Sequence, residues 1–173
     1  MSTAISGSAL KYAAADDVNT DVIWPGKYTY VKLDPPAMAE RAMETFDPDF
    51  PQKAKQHSVL VVGKNFGCGS SREQASQCLK YAGIEAVVAV SFSRIFYRNS
   101  MNLGLPVIEC PEASAALQTG DPVSIDLEAG ALISGERTFP FAPFPPFVLE
   151  LIHAGGLIAQ IRARRERDQG GTP

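Results

Sequence analysis

The sequence predicts an α/β fold, a β/β/α domain of short strands, and three observations carry that expectation. Ser58-Val59-Leu60-Val61-Val62 and Ala86-Val87-Val88-Ala89-Val90 are compact, apolar, β-branched runs of the kind that fill buried strands in parallel or mixed sheets. A glycine-rich loop and a helical pattern separate them, which makes a strand, loop, helix, strand unit. Beyond residue 120 the pattern changes to period-two alternation broken by Glu128-Ala129-Gly130, the mark of a hairpin.

Taken in order, Ala9 to Ala14 reads as a first strand, and Asp16-Asp17-Val18-Asn19-Thr20-Asp21 as a loop rich in turn and cap formers. Asp34 is a candidate N-cap with proline in the first turn, so a short helix should follow through Met43. The apolar run at 58–62 opens into the glycine loop, and a helix spans Arg72 to Ala82 before Gly83 ends it. The second buried run follows, then a helix from Phe92 to Leu103 stopped by Gly104, and a short strand at Pro106 to Cys110. Val123 to Leu127 pairs with Ala131 to Ile133. Pro145-Pro146 starts a helix through Leu151, Gly155-Gly156 interrupts it, and Leu157 to Arg167 resumes it. The apolar stretch Phe139 to Phe147 is expected against the core, with a contact to a partner chain as the alternative.

With 173 residues, 45% hydrophobic and 20% charged, the chain suits a single domain over 1–168, with 169–173 a frayed tail. Sixteen basic and 19 acidic residues, well mixed, leave a net charge of −3 and no broad positive field, which argues against nucleic acid as partner. No run approaches bilayer-spanning length and the first residues lack a basic segment leading into an apolar one, so no membrane role and a cytoplasmic location are expected. Cys68, Cys78 and Cys110 are an odd, widely spaced set, unlike a disulfide framework, a zinc pair or an iron-sulfur cluster motif; this chain is expected to bind no metal and no cofactor itself.

The chemistry concentrates between Gly63 and Ser71, where three glycines in nine residues join a buried strand to a helix. Exposed backbone N–H groups, the positive end of the helix and the two-pronged guanidinium of Arg72 make an anion site suited to a carboxylate or phosphate. No lysine precedes the serines in the manner of a phosphate loop. A plainer reading stands beside this one: Gly67 and Gly69 permit a turn, Ser70 or Ser71 caps the helix, and Arg72 pairs with Glu73 or another surface acid. Cys68 fits between the glycines as a packing thiol. His57 and His153 have no paired acid in sequence and read as surface residues. Arg162, Arg164, Arg165 and Arg167 read as a solvated face that suits a helix C-terminus.

Asn65-Phe66-Gly67-Cys68-Gly69-Ser70-Ser71-Arg72-Glu73 resembles the signature of the aconitase swivel domain and of isopropylmalate dehydratase small subunits. Asn19-Thr20-Asp21 with Pro25, Asp47-Pro48-Asp49-Phe50, Ser91 through Asn99, Gly104-Leu105-Pro106 and Ala154-Gly155-Gly156-Leu157 resemble further family segments in the same order. The resemblance implies a swivelling β/β/α domain of the aconitase C-terminal type. It also implies the small subunit of a hydro-lyase that isomerises a hydroxy-dicarboxylate by dehydration and rehydration, in leucine biosynthesis. The four-iron, four-sulfur cluster is then held by a large subunit of the same superfamily. By the same resemblance Ser70 is the catalytic base, Ser71, Arg72, Gly69 and Asn65 bind substrate, and Lys27, Tyr28, Thr29, Tyr30, Val31 and Lys32 form the loop that reads the substrate's side group.

Three departures accompany the match. Gln74 stands where many relatives have histidine, Lys27 to Lys32 stand where isopropylmalate enzymes often show arginine, tyrosine, leucine and a short variable pair, and Trp24 stands in a normally aliphatic neighbourhood, suggesting an altered pocket. Tyr30 and Val31 favour an alkyl-substituted malate over a third carboxylate. A related enzyme of homoaconitase, citramalate or dimethylmalate type, and a stand-alone carboxylate-binding module, are the alternatives.

Overall fold

The computed structural model describes residues 4–13 and 15–169, and its centre is one mixed seven-stranded sheet in the order β4-β3-β2-β1-β5-β6-β7. The strands are β1 (Ala4–Lys11), β2 (Val59–Val61), β3 (Ala86–Ala89), β4 (Val107–Glu109), β5 (Pro122–Asp126), β6 (Ala131–Ser134) and β7 (Arg137–Pro140). β1 through β4 run parallel, with Leu60 opposite Leu10 and Val87, while β5 to β7 form an antiparallel meander paired to the other edge of β1. The parallel half is fully buried at β2 and β3, as its unbroken apolar runs require. The meander alternates buried and exposed residues.

Among the described residues eight α-helices surround this sheet: α1 (Thr20–Ile23), α2 (Pro35–Arg41), α3 (Phe50–Ala54), α4 (Glu73–Tyr81), α5 (Arg94–Leu103), α6 (Pro111–Ala116), α7 (Pro146–His153) and α8 (Leu157–Gln169). Asp34 and Gly104 cap as the sequence signals, and Ser93 adds a cap that it does not. The Asp34 side chain accepts from Ala37 N and that of Ser93 from Phe96 N, and Gly104 closes α5 in the left-handed region at φ 75°. α4 packs on α1, α2 and α5. A buried pair of hydroxyls, Ser76 Oγ and Ser100 Oγ, 2.8 Å apart, satisfies each other between α4 and α5.

Several expectations change. The first strand is Ala4–Lys11 rather than Ala9 to Ala14: the Ser6-Gly7-Ser8 segment has weak strand propensity, but β1 is central and β2 and β5 supply partners along both its edges; Ala14 lies outside the described residues. The loop at 16–21 ends in α1, capped by Asn19 through Val22 N. Neither α6 nor β7 was expected. α6 is one short turn-and-a-half opened by Pro111, and β7 completes the meander where Phe139 turns inward. Phe139 and Phe144 are buried as expected of the apolar stretch, but Phe147 is 69% exposed. α8 continues through Gln169, the first residue of the expected tail; Gly170 to Pro173 lie outside the described residues. Trp24 is a core residue, 1% exposed and tilted against Tyr28 with ring centroids 5.5 Å apart, so it shapes the interior rather than a pocket wall. His57 is half-buried with Nδ1 2.8 Å from Ser8 Oγ, whereas His153 is exposed.

A polar cluster pins the 47–53 segment to the end of β1. Tyr12 Oη donates to Asp47 Oδ2 at 2.6 Å and Lys53 Nζ reaches the same oxygen at 2.6 Å, while the Tyr12 ring meets Phe46 edge-on at 5.3 Å. Burial alone would raise the Asp47 carboxyl, but the hydrogen bonds from Lys53 and Tyr12 outweigh it and hold it below the usual carboxylate range. A depressed carboxyl adds stability that is present above its unfolded pKa and lost as pH falls through its folded one. Tyr12→Phe is therefore expected to cost about 1–2 kcal/mol near neutral pH. The cost should shrink in acid as Asp47 is protonated. Urea melts of both proteins at neutral and acid pH measure the difference; an equal cost at both would show that ring packing, not the carboxylate bond, is what Phe disturbs.

Candidate active site

The glycine loop leaves β2 and enters α4 with the front of α1 as its platform. Thr20 N donates to Cys68 O at 2.8 Å and Gly67 N to Val18 O at 2.8 Å, so the 18–20 segment and the loop run side by side. From the opposite side, Phe66 N donates to Ser91 O at 3.1 Å and Ser93 Oγ to Gly67 O at 2.6 Å. Phe66 and Phe96 pack edge to face beneath, at 5.4 Å. The loop is thus fixed by backbone on both flanks and by aromatic rings below, while its tip, Gly69 to Ser71, is exposed.

At that tip the Ser70 carbonyl is doubly engaged, accepting from Arg72 N at 2.9 Å and from Thr20 Oγ1 at 3.0 Å. Ser70 Oγ lies 3.1 Å from the same Thr20 oxygen. The N–H groups of Gly69, Ser70, Ser71 and Glu73 have no acceptor among the described residues, and Glu73 opens a nine-residue helix. Unpaired donors at a helix N-terminus favour an anion there. Neither serine caps the helix, because Arg72 occupies the N-cap position and makes no side-chain cap bond.

Arg72 is turned back over α1. Its Nη1 forms an ion pair with Asp21 Oδ1 and lies 3.5 Å from Trp24 O, with the side chain 21% exposed. The surface acid that the plainer reading asked for is therefore Asp21, not Glu73. Gly26 lies alongside this ion pair, and a Cβ there would make only ordinary contacts, 3.5 Å from Arg72 Nη1 and 3.4 Å from Asp21 Oδ1. The guanidinium is thus held in this chain by a carboxylate of the protein itself.

The remaining expected residues divide. Asn65, in a left-handed conformation at φ 53°, donates from Nδ2 to Asp17 Oδ1 at 2.8 Å, and its N–H donates to Ser91 Oγ at 2.9 Å. That engagement ties the base of the loop to the 17–18 segment. In the 27–32 loop, Lys27 forms an ion pair with Glu44, to which Tyr28 Oη also donates at 3.2 Å. The bond to Glu44 holds the Lys27 ammonium above its ordinary pKa. Tyr30, Val31 and Lys32 instead stand clear of the surface, Tyr30 99% and Val31 51% exposed. Cys68 is half-buried and its Sγ faces Asp17 O at 3.4 Å. Cys78 and Cys110 are buried, and loss of solvent pushes the Cys78 thiol up. Among the described residues no group of three or more His, Cys, Asp or Glu is placed to hold a metal ion.

Thr20 and Asp21, which the sequence places in a loop and in a family-like segment without giving either a role, are the residues that reading misses. Each touches one of the two polar side chains that matter, Ser70 and Arg72. The available signal was their place in a short cap-rich segment, which identifies a helix start without saying what that helix faces.

A mixed sheet carrying this loop between a buried parallel strand and a helix defines the class: residues 7–113 match the Aconitase C-terminal domain, and the chain belongs to that family. Its place within the family is among the dehydratase small subunits. It is 49% identical over 148 residues to the 3-isopropylmalate dehydratase small subunit of Moorella thermoacetica, covering 84% of this chain and 89% of that one. Identity to the 2,3-dimethylmalate dehydratase small subunit of Eubacterium barkeri is 43% over 159 residues, covering 91% and 96%. The solved 3-isopropylmalate dehydratase (leuD) of Methanocaldococcus jannaschii is similar throughout, with a TM-score of 0.86, 40% identity, and coverage of 98% of this chain and 99% of that chain.

Proposed function

We propose that this chain is the small subunit of a 3-isopropylmalate dehydratase. With a large subunit of the same superfamily it interconverts 2-isopropylmalate and 3-isopropylmalate through an unsaturated intermediate, the isomerisation step of leucine biosynthesis, in the cytoplasm. What supports this reading is that Ser70, the unpaired N–H groups of Gly69, Ser70 and Ser71, and Arg72 follow one another at the start of α4, with the Arg72 guanidinium on Asp21 until a substrate carboxylate takes its place. A carboxylate seated on Ser71, Arg72 and those donors presents its adjacent carbon to Ser70. Ser70, as alkoxide, takes the proton from that carbon. The C–H electron pair becomes the double bond, and the hydroxyl on the neighbouring carbon leaves with its own pair. Rehydration runs the same steps backwards with hydroxyl added at the other carbon, and Ser70 returns the proton. Asn65 acts from the base of the loop, as the pin that sets its height.

The four-iron, four-sulfur cluster belongs in this proposal to the large subunit, together with the acid half of the elimination. The dispersed Cys68, Cys78 and Cys110 support that division. Tyr30 and Val31, projecting from the 27–32 loop, support an alkyl side group on the substrate over a third carboxylate. Mixed charge at a net −3 gives nucleic acid no field to bind, and no described helix is long and apolar enough to cross a membrane.

The test is anaerobic co-purification with the large subunit after cluster reconstitution, followed by ultraviolet detection of the unsaturated acid. Turnover of 3-isopropylmalate that vanishes when either chain is omitted is expected. Preference for 2,3-dimethylmalate would move the substrate and keep the chemistry. Carboxylate binding by this chain alone, with no complex and no turnover, would replace the enzyme reading by a binding module.

A further inference from the structure

Thr20 is the first residue of α1, 2% exposed, and its hydroxyl serves a single neighbour. Thr20 Oγ1 is 3.0 Å from Ser70 O and 3.1 Å from Ser70 Oγ. A hydroxyl has one proton to give, and a carbonyl can only accept. With Ser70 protonated, the Thr20 proton therefore goes to Ser70 O, and the Ser70 hydroxyl donates to Thr20 Oγ1. That fixes the Ser70 rotamer, turning its proton toward the α1 platform and its free lone pairs outward. The Thr20 oxygen is itself immobile: Thr20 N is bonded to Cys68 O at 2.8 Å, and a β-branched side chain is stiff about its first torsion.

The second acceptor makes the arrangement more than a prop. Ser70 O keeps the Arg72 N–H at 2.9 Å whatever Thr20 does, so the Thr20 proton can swing from that carbonyl to Ser70 Oγ without orphaning it. We propose that Thr20 is the positioning residue for Ser70: it holds the serine oxygen facing the substrate and donates its hydroxyl proton as a hydrogen bond to the alkoxide form. No proton leaves Thr20 in the cycle; only the direction of its O–H changes. When Ser70 takes the substrate proton, Thr20 turns back to the carbonyl. The inference rests on Ser70 being the base, and it identifies the partner that makes so weak an acid usable, since a donor aimed at an oxyanion stabilises it in the exposed but donor-rich tip.

Thr20→Val keeps the shape and removes the hydroxyl. In the assembled enzyme with 3-isopropylmalate it is expected to lower kcat about tenfold or more, the value of one hydrogen bond to a charged oxygen, with KM within about twofold. Losing a donor to the alkoxide raises the pKa of Ser70, so the rise of kcat with pH should move to higher pH, and Thr20→Ser should restore both kcat and that limb. The thermal midpoint of the isolated variant chain, and the affinity of the complex for 3-isopropylmalate, should stay near those of the parent. In a Ser70→Ala background Thr20→Val should cost no further activity, because the two act as one unit.

A kcat and pH limb unchanged by Thr20→Val, or an equal loss in the Ser70→Ala background, overturns the proposal while leaving Ser70 as base. Normal turnover by Ser70→Ala alone overturns the underlying reading instead. If the valine chain does not assemble, Thr20→Ser decides: a kcat and limb kept by the hydroxyl support the role, and their loss removes it.

Discussion

Ser70→Ala in the assembled enzyme is expected to lower kcat by about 10²–10⁴-fold, the range for removing a positioned general base, with KM changed by no more than about threefold. The split follows from where the contacts lie. In the proposed mechanism carboxylate seating falls to Arg72, Ser71 and backbone N–H groups, none of which the substitution removes, whereas Ser70 Oγ is the group proposed to take the proton. The fold should not notice. Ser70 is exposed, and its carbonyl keeps the bonds from Arg72 N and Thr20 Oγ1, because both go to backbone. A urea midpoint equal to that of the parent, measured on the same preparation, separates lost chemistry from lost structure. Turnover within a few-fold of the parent would remove Ser70 from the proton-transfer step and leave the loop as a carboxylate cradle only.

The parallel half of the fold was legible because burial on both faces of β2 and β3 demands unbroken apolar runs, and Val59 to Val61 and Ala86 to Ala89 supply them. β1 was misplaced for the complementary reason. Ser6, Gly7 and Ser8 carry no strand signal of their own; the pairing of Ser6 with Ser124 and of Gly7 with Val123 places them in the sheet, and partners distant in sequence leave no local mark. α6 is too short for a helical period to show, and β7 lies within a proline-rich apolar stretch whose alternation is spoiled by Pro140.

The site shows the same division between local and distant signals. The nine residues from Asn65 to Glu73 make the loop legible, because glycines before a helix start are a local pattern. What the loop rests on was not local. The bonds from Thr20 to Ser70 and the ion pair of Asp21 with Arg72 span about fifty residues of chain, joined only because β1 and β2 lie side by side. Asn65 and Trp24 show the converse. Both stand in or near recognisable motifs, yet the fold uses Asn65 to fasten Asp17 and Trp24 to fill the core beside Tyr28.

Gly67→Ala is expected to be the most damaging change to stability in the loop, about 2–5 kcal/mol in all. Gly67 has φ 76°, in the left-handed region, where a Cβ costs roughly 1–2 kcal/mol. It also lies on the ring of Phe96: a Cβ built there overlaps the ring and falls 2.6 Å from Phe96 Cδ2. Phe96 cannot retreat easily, since it is 1% exposed and packed against Phe66 at 5.4 Å and Phe92 at 6.0 Å, so overpacking adds about 1–3 kcal/mol. Gly69→Ala is the internal comparison. Its φ of 95° carries similar backbone strain, but the nearest atom to an added Cβ is Asn19 Cβ at 3.5 Å, an ordinary contact. Urea denaturation of the two variants should therefore place Gly67→Ala well below Gly69→Ala with similar slopes. Equal losses would mean that backbone strain alone sets the cost and that the aromatic floor under the loop yields. If Gly67→Ala is the weaker protein, as expected, the height of Ser70 above the sheet is set by contact between bare backbone and the Phe96 ring, and a side chain at that position would lift the glycine loop off its platform.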